Sequence, residues 1–253
     1  NLGIPVPPGF TITTKTCKNY NEKNKKLDKK VLLEIGKNIK KLEKAMDKKF
    51  GNPKNPLLLS VRSGAAVSMP GMMDTVLNLG LNDDIVKGLS KETGNEKFAW
   101  DSYRRFIKMF GNVVMHIPHE DFEKILDDVK QKKKLKYDTE LTVDLLKEIE
   151  KKYKKLIKNK KGKSFPKDVK EQLILSIKAV FDSWNNERAI KYREINDIKG
   201  LIGTAVNIQT MVFGNMGKDS ATGVCFSRNP STGENKFYGE FLVNAQGEDV
   251  VAG

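Results

Sequence analysis

Apolar residues in the middle of the chain recur every three or four positions, which predicts amphipathic helices. The clearest case is residues 28–50, where lysines fill most positions between the apolar ones. Its apolar stripe consists of Val31, Ile35, Ile39, Leu42 and Met46. Residues 121–130 and 141–158 are lysine-rich segments with similar spacing, and they too are predicted to be helices.

Two further predicted helices have larger apolar stripes. One runs from near Asp101, whose residue type favours helix N-termini, to about Met115. The other is a long helix with Pro166 in its first turn, extending to about Ile190. The stripes are formed by Phe106, Phe110, Val113 and Val114, and by Val169, Leu173, Ile177, Val180, Phe181 and Trp184.

Short apolar or alternating runs toward the two ends of the chain predict strands. One follows the prolines near the N-terminus, and the apolar run at residues 56–60 suits a buried strand. Residues 204–213, 223–227 and 237–244 predict three more. The last two should form a hairpin, because Asn-Pro-Ser-Thr-Gly between them favours a turn. Helices in the middle and strands near the end predict an α+β fold.

Composition indicates a folded domain without a membrane-spanning segment. Of 253 residues, 38% are hydrophobic and 31% charged, and no apolar run approaches the roughly 20 residues that a membrane span requires. The first residues lack a signal-peptide pattern. Cys17 and Cys225 lie far apart and are expected to stay reduced. These features predict a cytoplasmic protein with no membrane partner.

The net charge of +14 is concentrated in two lysine-rich segments. Residues 21–55 and residues 121–170 each carry a net charge of +7, all of it from lysine. Base recognition relies on arginine and on aromatic stacking, and neither accompanies these lysines. Solvent-exposed helix faces are therefore the expected interpretation, with no nucleic-acid partner. A basic, non-catalytic interaction module is the alternative.

Two segments have the residue types of a phosphate site. Arg62 follows the apolar run and precedes Ser63, Gly64 and two alanines, so a rigid guanidinium meets a backbone that a ligand can approach closely. Residues 215–223 contain two glycines and two hydroxyl side chains between predicted strands, and such a loop can bind an anion through backbone N–H groups. A structural ion pair and an ordinary hairpin loop are the respective alternatives. Neither common glycine-rich phosphate motif is present.

Five stretches together resemble the nucleotide-binding domain of the pyruvate phosphate dikinase family. They are residues 57–82, with Ser-Val-Arg-Ser-Gly-Ala and Met-Pro-Gly-Met-Met-Asp-Thr, and residues 98–106, 203–214, 223–233 and 244–253. The resemblance implies an ATP-grasp fold, in which two sub-domains clasp the nucleotide. Residues 1–213 would form the first sub-domain, with a helical insertion at about 31–55 and 82–166. Residues 214–253 would begin the second.

The resemblance also implies roles for individual residues. Arg62 would contact the ATP phosphates and steady the transferred charge. The strand around residue 209 would border adenine, and the loop at 215–223 would cover the phosphates, although Ala221 stands where family members often have glycine. The expected ATP-binding residues are Arg62, Met72, Gln209, Met211, Val212, Lys218, Ser220, Thr222 and Gly223. Inorganic phosphate would be bound by Arg105, Ser231 and Glu240, and the catalytic residues would be Arg62, Arg105 and Glu240.

Metal ligands are expected to be few. ATP would bind with Mg²⁺, and Glu248 and Asp249 could assist that ion indirectly. The two carboxylates are not expected to bind the same ion, because neighbours on a strand point to opposite faces. His116 and His119 have metal-like spacing, but Pro118 lies between them and no third ligand is near in sequence, so ordinary surface histidines are expected.

The family's reaction implies parts that these residues do not include. Its members interconvert ATP, phosphate and pyruvate with AMP, diphosphate and phosphoenolpyruvate, through a phosphohistidine on a swivelling domain of the same chain. The chain starts at Asn1 and stops after a dense motif, so we expect a segment truncated at both ends. It would lack a Gly-Lys segment, acidic Mg²⁺ ligands and a Gln-x-Arg, and be inactive alone. The full-length protein is expected to be a homodimer. Phosphoenolpyruvate synthase, a related ATP-grasp dikinase, is the alternative enzyme.

Overall fold

The computed structural model describes residues 3–251, without the side chains of Glu248 and Val251. Its strands are β1 (Gly9–Ile12), β2 (Leu59–Gly64), β3 (Thr75–Leu79), β4 (Ala205–Thr210), β5 (Ala221–Phe226) and β6 (Tyr238–Val243). Its helices are α1 (Thr14–Glu22), α2 (Lys29–Met46), α3 (Ile85–Thr93), α4 (Glu96–Val113), α5 (His119–Lys133), α6 (Val143–Lys161), α7 (Val169–Ser183), α8 (Glu187–Ile195) and α9 (Gly247–Val251). The α+β prediction is confirmed at this level.

The first four strands form an antiparallel sheet in the order β1-β4-β2-β3, and β5 pairs only with β6 among the described strands. One face of the large sheet is apolar: Val61 pairs with Ile208, and neither is exposed. The opposite face is polar, because Ser60 lies opposite Gln209 and Arg62 opposite Asn207. The period of two along each strand therefore turns Arg62 away from the core.

The helices pack on the apolar side of this sheet, with α4 at the centre. Phe106, Phe110 and Phe165 form an aromatic cluster whose ring centroids are 5.3–5.6 Å apart in edge-on or T-shaped pairs. The apolar stripes predicted for the helices are largely buried, as expected from their spacing. Within residues 3–251, no helix has the length and apolar content needed to cross a lipid bilayer.

Two predicted helix boundaries were wrong for local reasons. Helix α4 starts five residues before Asp101, because the Asn95 side chain accepts a hydrogen bond from the Phe98 N–H (3.0 Å) and caps the helix there. The long helix predicted from Pro166 is two helices, α7 and α8. Asp168 caps α7 through the Lys170 N–H (2.8 Å), and the chain breaks at extended Asn186 before α8.

The predicted apolar strand at 56–60 is displaced, since β2 begins at Leu59 and continues through Arg62 to Gly64. Helix α1 and strand β3 had no counterpart in the sequence analysis. The apolar positions of α1 are sparse: only Cys17 and Tyr20 are buried in it. A helix with so few buried residues leaves a weak periodic signal.

Two helical glycines should respond in opposite directions to the same substitution. A Cβ at Gly88 in α3 would lie 1.6 Å from the Pro53 carbonyl oxygen, whereas a Cβ at Gly36 in α2 would contact nothing within 4 Å. Gly88→Ala should therefore destabilise the fold by about 1–3 kcal/mol, since backbone must move. Gly36→Ala should stabilise it by up to about 1 kcal/mol through helix propensity. Urea unfolding of both variants measures this; equal shifts would contradict the packing of α3 on Pro53.

Candidate functional site

A cleft of about 440 Å³ lies where the large sheet meets the β5–β6 hairpin. Arg62 and Leu77 of the sheet line one side, and the segment from Met211 to Asn215, which we call the hinge, lines another. The start of β5 and residues 246–247 complete the wall. The cleft thus joins a cationic side chain, apolar hinge residues and small residues contributed by distant parts of the chain.

Arg62 is exposed, and it also lines a second cavity of about 440 Å³ on the polar face of the sheet. Its pairing residues are Asn207 on β4 and Thr75 on β3, so two strands fix its backbone. No ion pair within the described residues involves Arg62. A guanidinium positioned on rigid strands without a carboxylate partner is suited to binding an anion.

The hinge is held close to the hairpin by a glycine. Met211 continues from β4, and its N–H donates to the Leu58 carbonyl (2.9 Å). A Cβ on Gly214 would lie 1.9 Å from Thr222 Oγ1 and 2.5 Å from the Ala245 carbonyl oxygen, so only glycine fits there. Gly214 was not among the predicted site residues, although a glycine directly after an apolar strand was the available signal.

The beginning of β5 brings Thr222 and Gly223 into the cleft wall. The Thr222 hydroxyl donates to the Ala245 carbonyl (2.7 Å), which ties β5 to the chain after β6. Ala221 pairs with Val243 as an ordinary strand residue and does not have a positive φ. The backbone at position 221 is therefore not left-handed, and it does not require glycine in place of Ala221.

The structure places four other predicted ATP-binding residues outside the wall of this cleft. Gln209 lines the second cavity, and its Nε2 donates to the Pro7 carbonyl (3.0 Å). Met72 packs in a separate apolar cluster with Met69 and Trp184. The remaining two, Lys218 and Ser220, lie in the loop before β5, where Lys218 is exposed.

Arg104 and Arg105 share one carboxylate but occupy different environments. Arg104 is buried and donates to Asp101 Oδ1 through Nε (2.9 Å) and Nη2 (2.7 Å). Arg105 donates to Asp101 Oδ2 (2.9 Å), approaches Asp249 Oδ1 at 3.4 Å, and lines two cavities of about 180 and 310 Å³. The structure therefore makes Arg104 a core residue and leaves Arg105 accessible to a small anion.

Burial and charge act in opposite directions on Asp101. Burial alone would raise the pKa of this carboxyl, but the positive charges of Arg104 and Arg105 outweigh it and hold the pKa below its usual range. Burial would also lower the pKa of Arg104, yet the Asp101 charge raises it further above its ordinary value. The pair is therefore fully ionised at neutral pH.

Ser231 and Glu240, the other two residues predicted for a phosphate site, are exposed on the hairpin. The Ser231 N–H donates to Asn229 Oδ1 (2.9 Å) within the turn. Glu240, on β6, lies opposite Val224 of β5. Glu248 and Asp249 belong to helix α9, so the strand geometry assumed for them was wrong. The Glu248 side chain lies outside the described part of the structure.

The described residues contain no group of three or more His, Cys, Asp or Glu side chains arranged to hold a metal. Among the described side chains none in the cleft wall is a carboxylate, so these residues do not by themselves form a Mg²⁺ site. His119 lies 3.3 Å from Glu123 on α5, and the His116 carbonyl accepts from Lys161 (3.3 Å). Both histidines thus have ordinary surface contacts.

Comparisons with known proteins agree with the resemblance seen in the sequence. The family "Pyruvate phosphate dikinase, AMP/ATP-binding domain" matches residues 26–253. The whole chain is 61% identical to pyruvate, phosphate dikinase of Mesembryanthemum crystallinum (chloroplastic) and 56% identical to that of Clostridium symbiosum. It spans 27% and 29% of those relatives, respectively.

Proposed function

The chain belongs to the pyruvate phosphate dikinase AMP/ATP-binding domain family, and we propose that it binds ATP in the cleft between the sheet and the β5–β6 hairpin. The observation that carries this proposal is Arg62, an arginine without an ion-paired carboxylate among the described residues, in a cleft that Met211 and Val212 also line. The arginine suits phosphates, and the apolar hinge suits the flat face of adenine. Mg²⁺ would accompany the nucleotide, with its acidic ligands supplied from outside these residues.

Inorganic phosphate is proposed to bind near Arg105, with Ser231 and Glu240 as the predicted partners. The support is that Arg105 lines two cavities, whereas the buried Arg104 contributes only to the larger of them. Asp249, 3.4 Å from Arg105, belongs to helix α9 directly after the hairpin, so the charge around Arg105 depends on where this part of the chain lies.

In the longer protein we propose the complete dikinase reaction, in which ATP, phosphate and pyruvate exchange with AMP, diphosphate and phosphoenolpyruvate. The phosphohistidine domain and the homodimer contacts would lie outside this chain. The relatives' names include chloroplastic enzymes and a bacterial one, so the cytoplasmic location stays a prediction for this protein.

Calorimetric titration of the full-length protein with Mg-ATP tests the cleft proposal. We expect saturable binding of one nucleotide for each copy of this segment, with little change when lysines on the exposed face of α6, such as Lys155 and Lys158, become alanine. Steeply salt-dependent binding to DNA, lost in the lysine variants and accompanied by no heat with ATP, would favour the basic interaction module instead.

We propose that residues 214–253 begin a second ATP-grasp sub-domain, after a first one formed by residues 1–213. The support is the apolar surface of the hairpin, whose two faces both carry exposed large side chains. The exposed residues are Val224, Phe226, Phe237, Tyr238, Phe241, Leu242 and Val243. A hairpin apolar on both faces requires cover that the described residues do not provide.

Thiol labelling measures whether the β5–β6 hairpin is covered in the full-length protein. Cys225 is exposed on the hairpin, whereas Cys17 is fully buried and serves as the internal control. A maleimide should react with Cys225 in the 253-residue chain and at least about tenfold more slowly in the full-length protein, because burial blocks thiol access. Equal Cys225 rates in the two proteins would show that the hairpin stays uncovered and would contradict the two-sub-domain proposal.

A further inference from the structure

Two residues of the cleft wall each have one buried side-chain amide atom without a hydrogen-bond partner. Asn215 Oδ1 and Gln246 Nε2 are both buried, and both residues line the 440 Å³ cleft. Within residues 3–251, the other buried side-chain atoms without a hydrogen bond belong to residues that do not line it. Buried polar groups in folded proteins are nearly always paired, so these two atoms indicate that a partner enters this space.

The two amides come from different sides of the cleft. Asn215 ends the hinge and also lines the 180 Å³ cavity that contains Arg105. Gln246 lies between β6 and α9. Its backbone is fixed by Asp249, since the Gln246 N–H donates to Asp249 Oδ2 (2.8 Å) and the Asp249 N–H donates to the Gln246 carbonyl (3.0 Å). This reciprocal pair holds the Gln246 backbone in place before any ligand binds.

We propose that Asn215 and Gln246 are specificity-determining residues of the nucleotide cleft, which hydrogen-bond ligand groups that both donate and accept. An amide offers both functions, as do the ribose hydroxyls and the amino edge of adenine. Neither residue carries charge, so neither duplicates the task of Arg62. The inference rests on the proposed function of the cleft and adds the polar part of the ligand to it.

The chemistry predicts discrimination between nucleotide analogues. A site that hydrogen-bonds a ligand group rejects an analogue lacking that group, because the buried protein atom then stays unpaired. Loss of affinity for 2′-deoxy-ATP or 3′-deoxy-ATP would identify a hydroxyl as the partner. Loss for the triphosphate of purine riboside, which lacks the 6-amino group, would identify the base.

The test uses Asn215→Leu and Gln246→Leu in the full-length protein, with Asn235→Leu and Gln131→Leu as matched controls. Asn235 and Gln131 are exposed residues outside the cleft. Mg-ATP affinity is measured by calorimetry, and the thermal midpoint is measured without ligand. We expect each cleft variant to lose about tenfold in ATP affinity, with a midpoint that is unchanged or higher, since an apolar side chain of similar size removes an unpaired buried group. The controls should bind ATP as the wild type does.

Titrating the same variants with the nucleotide analogues identifies which ligand group each amide contacts. A variant that has lost its contact to a hydroxyl or to the 6-amino group should bind the analogue lacking that group as well as the wild type does. If both cleft variants bind ATP within twofold of the wild type, the inference is overturned while the proposed function stands. A midpoint that falls together with affinity would show a structural role and also overturn it. If the wild type itself does not bind ATP, the proposed function fails, and this inference falls with it.

Discussion

Replacing Arg62 with alanine is expected to lower the Mg-ATP affinity of the full-length protein at least about 100-fold. A guanidinium can donate two parallel charge-assisted hydrogen bonds to phosphate, and losing such a pair costs about 3 kcal/mol, which corresponds to this factor. Calorimetry measures the affinity directly. Arg62 is exposed and forms no ion pair within the described residues, so the thermal midpoint of the variant should stay close to the wild-type value.

Arg62→Lys separates charge from geometry. Lysine keeps the positive charge but lacks the planar fork, so we expect an affinity between those of the wild type and the alanine variant. An alanine variant that binds ATP as tightly as the wild type would remove Arg62 from the site. A variant that simply unfolds would instead show that Arg62 has a structural role, which the polar, exposed face of β2 does not suggest.

Replacing Asp101 with asparagine is expected to destabilise the fold by about 3–5 kcal/mol. Among the described residues, the substitution leaves the buried Arg104 with Asp138, at 3.4 Å, as its one remaining ion-pair partner. A poorly compensated buried charge carries a penalty of this size. A typical domain has a free energy of unfolding of about 5–15 kcal/mol, so the loss would be a large fraction of the total. Urea unfolding at neutral pH measures it.

The pH dependence of the same variant gives a second check. The pKa of Asp101 is lower in the folded state than in the unfolded chain, where it is about 3.9. Ionised Asp101 therefore stabilises the fold above about pH 4, and this contribution disappears as pH falls through the lower, folded-state pKa. The stability gap between wild type and Asp101→Asn should accordingly narrow in acid.

Asp84→Asn is the matched control for Asp101→Asn. Asp84 is mostly exposed, and its nearest cation, Lys87 Nζ, is 3.9 Å away. Exposed pairs of this kind contribute about 0–1 kcal/mol, so the control should differ little from the wild type at any pH. Equal effects of the two substitutions would contradict the assignment of Arg104 as a buried partner of Asp101.

The α+β class, the helical stripes and the final hairpin could be predicted because each depends on residues close together in sequence. The break between α7 and α8 could not. Trp184 continues the α7 stripe in sequence but packs instead with Met69 in the second cluster. Periodicity reports that a side chain is buried without reporting which core receives it.

The chain by itself determined which residue types could bind phosphate and where the final hairpin and most of the helices form, since motif and periodicity are local properties. Only the tertiary structure decided which of those residues meet. It brought Arg62 to Met211 and Thr222, placed Met72 elsewhere, buried Arg104 and left Arg105 accessible. It also buried Asn215 Oδ1 and Gln246 Nε2 without a hydrogen-bond partner. Those outcomes depend on packing between segments that are distant in sequence, where sequence spacing carries no distance information.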